Sequence, residues 1–105
     1  MIRRFGQTAQ LKAGMTGEYD RLHAAVWPDV LKTITESNLR NYSIYRSGDK
    51  LFAYFEYTGT DYESDMVKMA ADPVTRLWWS HTHPCFIQKQ DEVFYTDMNE
   101  IFHID

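Results

Sequence analysis

The sequence has little cysteine, glycine or proline, and it lacks long apolar runs. Its 105 residues include one cysteine, five glycines and three prolines. A single cysteine, Cys85, excludes a disulfide within the chain and is typical of a reducing compartment. Apolar stretches such as Leu77–Trp79 are far shorter than the roughly 20 residues that a membrane-spanning helix needs. No secretory signal is recognisable, so we expect a cytoplasmic protein without a membrane partner.

Scarcity of glycine and of basic charge excludes further classes of protein. The five glycines form no phosphate-binding loop, and no serine lies in a G-x-S-x-G elbow, so no nucleotide cofactor is expected. Eleven Lys and Arg residues stand against 15 Asp and Glu, which gives a net charge of −4. Binding to nucleic acid needs a concentrated basic face, so we expect no nucleic-acid partner.

Aromatic residues are abundant, at 15% of the chain. Such rings suit a core, a subunit interface or a sugar pocket, and their number alone does not distinguish among these. The length predicts a single domain over residues 1–105. Its core would be small, so burial against a second subunit would add to its stability.

Hydrophobic periodicity predicts the order strand, helix, strand, strand, helix, strand. The expected elements are a weak strand at 2–11, a helix at 16–38 kinked or broken at Pro28, a hairpin at 41–46 and 50–57, a helix ending near Asp72, a short helix from Pro73 to Pro84, and a last strand at 93–95 or 101–104. Thr16 is expected to cap the first helix, and Thr60 with Glu63 to form a capping box.

This order predicts an α+β fold of the ferredoxin-like βαββαβ type, with an antiparallel sheet and helices on one face. The second predicted helix should turn Met66, Met69 and Ala70 inward. The other face of such a sheet is bare, and two copies that pack sheet to sheet would cover it. We therefore expect a homodimer built as a dimeric α/β barrel, with the outward-facing aromatic side chains of 42–57 at its seam.

Histidines are the first candidates for chemistry. His23 lies four residues after Tyr19 and four before Trp27, so the three share one stripe of a helix. An imidazole between a phenol and an indole suits proton transfer near neutral pH, although a half-buried histidine satisfied by the backbone would give the same spacing. His81 and His83 form an H-x-H pair, but the sequence offers no further ligands to complete a zinc site.

Two adjacent tryptophans, Trp78 and Trp79, are expected on the short helix. Adjacent positions on a helix lie about 100° apart, so one ring can enter the core while the other lines a cavity. The alternative is that both rings fill the core or a dimer interface. Cys85 belongs to no recognised nucleophile motif, and we expect it to be inert.

Four segments follow one another along the chain: E-Y-x-x-L-H-x-x-V-W-P at 18–28, N-Y-S-I-Y at 41–45, D-P-V-x-x-x-W-W at 72–79 and the ending I-F-H-I. Together they resemble the L-rhamnose mutarotase family over nearly the whole chain. The resemblance implies a dimeric ferredoxin-like fold, no metal or organic cofactor, and an isomerase that interconverts the anomers of a 6-deoxy-L-sugar. It also implies that His23 is the catalytic proton donor and that Tyr19, Tyr42, Trp78 and Trp79 bind the sugar.

L-Rhamnose is the expected substrate, and L-fucose is an alternative. The family members that this chain resembles carry Asn-Pro-Asp-Asn-Ser-Pro before the final strand, whereas residues 84–91 here read PCFIQKQD. We expect His23 to protonate the ring oxygen, while the complementary base is not identified from the sequence. Two other functions remain open: a cofactor-free monooxygenase of the dimeric α+β barrel type, and a sugar-binding module without catalytic activity.

Overall fold

The computed structural model describes residues 2–87 and 94–105, and it has the predicted ferredoxin-like α+β fold. The strands are β1 (Arg3–Gln10), β2 (Leu39–Ser47), β3 (Lys50–Tyr57) and β4 (Thr96–Met98), and the helices are α1 (Thr16–His23), α2 (Pro28–Glu36), α3 (Tyr62–Ala71) and α4 (Pro73–Thr82), with a 3₁₀ turn at His83–Cys85. The sheet has the order β2-β3-β1-β4, and all its neighbouring strands are antiparallel.

Alternating side chains of β3 divide the sheet into a buried face and an open face. Leu51, Phe55 and Tyr57 are buried beneath the helices. Phe52 points to the opposite face, where it is 41% exposed, and Tyr45 beside it on β2 is 68% exposed. The sheet therefore has one packed face and one face that carries exposed aromatic rings.

The predicted break at Pro28 separates two helices. Proline at the first position of α2 costs no hydrogen bond, because that amide has no partner within a helix, and α1 has already ended at His23. Thr16 lies inside α1, and the N-cap is Met15, so the predicted threonine cap is wrong. Leu22 of α1 and Val30 of α2 lie in one apolar cluster.

The helix after the hairpin starts one residue later than the predicted capping box. Asp61, rather than Thr60, is the N-cap of α3, and its carboxylate accepts a hydrogen bond from the Ser64 amide at 3.1 Å. Met66 and Met69 pack against the core as predicted. Ala70 is exposed, which corrects the prediction that it points inward.

The last strand lies between the two segments predicted for it. Thr96–Met98 pairs with Gly6, Gln7 and Thr8 of β1, whereas Phe94 and Tyr95 precede this strand and 101–104 follow it; Val93 lies outside the described residues. The prediction failed because β4 is an exposed edge strand. Such a strand pairs through its backbone, so its side chains need not be apolar.

Two hydrogen-bonded carboxylates, Asp65 and Asp72, make the stability of this fold sensitive to acid. The Tyr57 hydroxyl and the Asn38 amide donate hydrogen bonds to Asp65, and the Thr75 amide and hydroxyl donate to Asp72 at 2.8 and 2.9 Å. These bonds favour the ionised forms and lower the pKa of both carboxyl groups.

We expect the free energy of unfolding to fall when the pH is lowered below the unfolded carboxyl pKa of about 3.9. The stabilisation is present above that pH, and it is lost as the pH falls through the lower native values, because the unfolded chain takes up protons first. Urea unfolding at pH 7, 4 and 3 measures the change. Asp65→Asn should show a weaker pH dependence than the unaltered chain, and an unchanged dependence would contradict this account of Asp65.

Candidate active site

A cavity of about 640 Å³ lies between β2 and the helices, within the size range of small-molecule sites. Its wall contains every site residue predicted from the sequence. These are Tyr19 and His23 of α1, Tyr42 of β2, and Trp78 and Trp79 of α4. The fold thus brings together residues from three elements that are well separated along the chain.

His23 ends α1 with one ring nitrogen fixed, while no described residue bonds to the other. Its Nδ1 lies 2.9 Å from the backbone carbonyl oxygen of Tyr19. A carbonyl only accepts, so Nδ1 carries the hydrogen, and Nε2 is the atom that can gain or lose a proton. The ring stacks on that of Tyr19 at 4.1 Å and meets the edge of Trp78 at 5.5 Å. His23 is therefore oriented, half-buried and open to the cavity.

Tyr19 belongs to a pair of phenols in which the second member, Tyr95, was not predicted as a site residue. The two hydroxyl oxygens are 3.1 Å apart, and both side chains line the cavity. Burial raises the pKa of Tyr19 to about 12 and raises the pKa of Tyr95 as well. Both phenols are therefore neutral near pH 7, when each can donate and accept hydrogen bonds. The aromatic pair at 94–95 was the sequence signal for Tyr95, but it indicated a strand.

A β-bulge turns Tyr42 toward the helices. The pairing of β2 with β3 is regular at Arg40 and resumes at Ser43, with an irregularity between them. The extra residue reverses the alternation, so Tyr42 lies beside the buried Phe55, with ring centroids 5.3 Å apart, and lines the cavity. Bulges commonly redirect side chains near functional sites. Although Tyr42 is 38% exposed overall, loss of water around its phenol raises its pKa.

The two tryptophans differ in burial and in ring contacts, as expected for adjacent positions on a helix. Trp78 is only 5% exposed, and its ring contacts those of His23 and Trp27, at 5.5 and 5.2 Å. Trp79 is half-buried and stacks on His83, at 5.4 Å. Both rings also contribute to the cavity wall. Trp78 therefore joins the core to the site, while Trp79 is mainly a wall residue.

The H-x-H pair points in two directions. His81 is exposed beside Trp27, whereas His83 is half-buried in the cavity wall. Within residues 2–87 and 94–105, no three His, Cys, Asp or Glu side chains are grouped so that they could hold a metal ion. Cys85 is buried, and its burial raises the pKa of the thiol.

The fold and the cavity define a class of protein: ferredoxin-like α+β proteins with an aromatic cavity beneath the helices. A family model described as L-rhamnose mutarotase matches residues 4–104. The chain therefore belongs to the L-rhamnose mutarotase family, and it is a sugar mutarotase, an isomerase that acts on carbohydrates. The resemblance and the enzyme class predicted from the sequence are confirmed.

Individual relatives agree with this assignment. An L-rhamnose mutarotase from Phocaeicola vulgatus is 33% identical over 98 residues, which cover 90% of this chain and 91% of the relative. The crystal structure of an L-rhamnose mutarotase from Formosa agariphila matches with a TM-score of 0.80 at 19% identity, over 98% of this chain and 99% of that one.

The same fold occurs in proteins of other function. A candidate antibiotic biosynthesis monooxygenase from Bordetella bronchiseptica matches with a TM-score of 0.66 at 10% identity, covering 96% of this chain and 98% of that one. This likeness shows the fold alone, because one fold supports unrelated chemistries. None of the helices in the described part of the chain is long and apolar enough to cross a membrane.

Proposed function

We propose that the cavity binds L-rhamnose and that His23 catalyses the interconversion of its α and β anomers by opening and closing the sugar ring. The observation that carries this proposal is the arrangement of His23, whose Nδ1 is held by a carbonyl while Nε2 remains available in a cavity of about 640 Å³. Imidazole is the side chain best suited to exchange protons near neutral pH.

Ring opening needs two proton transfers. In its protonated form, His23 gives the proton on Nε2 to the ring oxygen as the bond from this oxygen to the anomeric carbon breaks. The anomeric hydroxyl gives its proton to a second group or to water as the aldehyde forms. Rotation about the bond between the first two carbons and closure on the other face of the carbonyl then produce the second anomer. Each well-placed acid or base accelerates such a reaction by about 10²–10⁴-fold.

The other wall residues supply binding. The rings of Trp78 and Trp79 offer apolar surfaces for the methyl group and the C–H face of a 6-deoxy sugar, as aromatic rings do for such groups. Tyr19 and Tyr42 bring neutral phenols to the wall, and these can donate hydrogen bonds to the sugar hydroxyls. Binding of this kind needs no metal ion or organic cofactor.

Anomer exchange measured with two sugars tests the proposed substrate. Saturation transfer in proton NMR between the two anomeric protons should show catalysed exchange that is faster for L-rhamnose than for L-fucose. The L-fucose alternative rested on residues 84–91, of which 88–91 lie outside the described residues. Binding without faster exchange would indicate a sugar-binding module, and oxygen uptake with a quinol would support the monooxygenase.

We also propose that the protein is a homodimer and that it works in the cytoplasm. Residues 1–105 form a single domain in this proposal. The open face of the sheet carries Tyr45 and Phe52, and the C-terminal residues Ile101 and Phe102 are 95% and 78% exposed. Tyr45 and Phe52 are neighbours across β2 and β3, and a contiguous apolar patch of this kind is the surface that a subunit interface would cover. Light scattering should give twice the chain mass of 12.4 kDa. Tyr45→Glu should shift the mass toward one chain, and a monomeric unaltered protein would contradict the proposal.

A further inference from the structure

His83 is a second imidazole in the cavity wall, and the chemistry described above gives it no part. It opens the 3₁₀ turn that follows α4 and is half-buried. Its ring stacks on Trp79 at 5.4 Å, with an angle of 20° between the planes, and lies 4.7 Å from the ring of Phe94. These contacts hold the imidazole in place through its faces.

The nitrogen atoms of His83 remain available. Among residues 2–87 and 94–105, neither of them has a hydrogen-bond partner, and neither counts among buried polar atoms that lack one. Neither nitrogen is therefore sealed from solvent, and the residue as a whole lines the cavity. His23 differs, because its Nδ1 is held by the Tyr19 carbonyl. The cavity wall thus contains two oriented imidazoles, each with at least one ring nitrogen to which no described residue bonds.

Burial favours the neutral form of His83. Removal from water lowers the pKa of this imidazole, so near pH 7 it has a lone pair that can accept a proton. The titratable groups that line the same cavity are His23, Tyr19, Tyr42 and Tyr95, with the cation Arg40, and Lys12 shares an adjoining hollow with His83. No carboxylate lies among the described residues that line either space.

We propose that His83 is the base that accepts the proton of the anomeric hydroxyl while His23 protonates the ring oxygen. This inference rests on the proposed function and names the second group that it requires. When the ring opens, the bond between the anomeric carbon and the ring oxygen breaks. The ring oxygen receives the proton from Nε2 of His23, and the hydroxyl proton passes to a ring nitrogen of His83 as the carbonyl double bond forms. Ring closure reverses both transfers, so protons and electrons balance over the cycle.

Two substitutions at position 83 separate a base from a binding residue. His83→Gln keeps a side chain that forms hydrogen bonds but cannot act as a base, and His83→Phe keeps the ring that packs on Trp79. Both should lower kcat for L-rhamnose exchange by about 10²-fold or more, while Kd, measured by quenching of tryptophan fluorescence, changes less than about threefold. His81→Gln is the matched control, since this histidine lies two residues earlier, at the exposed end of α4 and outside the cavity wall, and it should leave kcat unchanged.

Chemical rescue distinguishes a base from a purely structural residue, because an added basic molecule can replace only the lost base. His83→Ala removes the ring, and added imidazole should restore part of kcat. Added pyrrole should not, because it has the same ring shape without a basic nitrogen.

Several results would overturn the inference. The inference would be contradicted by near-normal kcat in His83→Gln or by weaker binding with unchanged kcat. Equal rescue by imidazole and pyrrole would also show that His83 is not the base. Failure of the proposed function is distinguishable from these results, because the unaltered protein would then show no catalysed exchange at all.

Discussion

His23→Asn is expected to lose nearly all catalysed anomer exchange while it keeps the fold. The asparagine amide can replace Nδ1 as donor to the Tyr19 carbonyl, which now lies 2.9 Å from that nitrogen. It cannot take up and release a proton, so the acid/base contribution disappears. Such a contribution is worth about 10²–10⁴-fold, and we expect kcat to fall by at least 10²-fold.

Saturation transfer between the anomeric protons of L-rhamnose measures the loss. His81→Asn is the control, because it makes the same change at an exposed histidine outside the cavity wall. Circular dichroism and fluorescence titration should show that His23→Asn folds and binds sugar. An exchange rate within a few-fold of that of the unaltered protein would contradict a catalytic role for His23.

Trp78→Ala is expected to cause a large loss of stability. The side chain is 5% exposed and lies in the main core cluster, where its ring contacts those of His23 and Trp27. Truncation of a buried tryptophan to alanine costs about 3–5 kcal/mol, through lost burial and the cavity that remains. This is a large part of the 5–15 kcal/mol that stabilises a typical domain.

The neighbouring tryptophan provides the matched control. Trp79 is only half-buried, so Trp79→Ala should lower the free energy of unfolding less than Trp78→Ala, and its main effect should be weaker sugar binding. Urea denaturation measures the first quantity and fluorescence titration the second. Equal losses of stability in the two variants would contradict the distinction between a core ring and a wall ring.

Local signals in the sequence were sufficient for most of the fold. Residues 41–46 alternate and residues 50–57 are rich in aromatic side chains, which predicted the hairpin, and Pro28 separates two helices because its ring fits only the first turn. Strand β4 was misplaced, since Thr96–Met98 is an exposed edge that pairs with Gly6–Thr8 through its backbone. Pairing of this kind depends on residues about 90 positions away, and it leaves no local apolar pattern.

The site was predictable to the extent that its residues share an element or a family motif. Helical spacing placed His23 beside Tyr19, as the 4.1 Å ring contact shows. Tyr42 came from the resemblance, because the bulge that turns it inward is not visible in the strand pattern. Tyr95 and His83 were not predicted as site residues. Their positions in the wall depend on how β4 and α4 pack, which is a property of the tertiary structure.

The most direct measurement is the rate at which magnetisation passes between the anomeric protons of L-rhamnose in a solution already at equilibrium. No net reaction occurs there, so only a catalyst of ring opening can change the rate. We predict that the exchange rate rises in proportion to the concentration of the unaltered protein and stays at the buffer value with His23→Asn. Exchange at the buffer rate in both samples would contradict the claim that this cavity interconverts anomers.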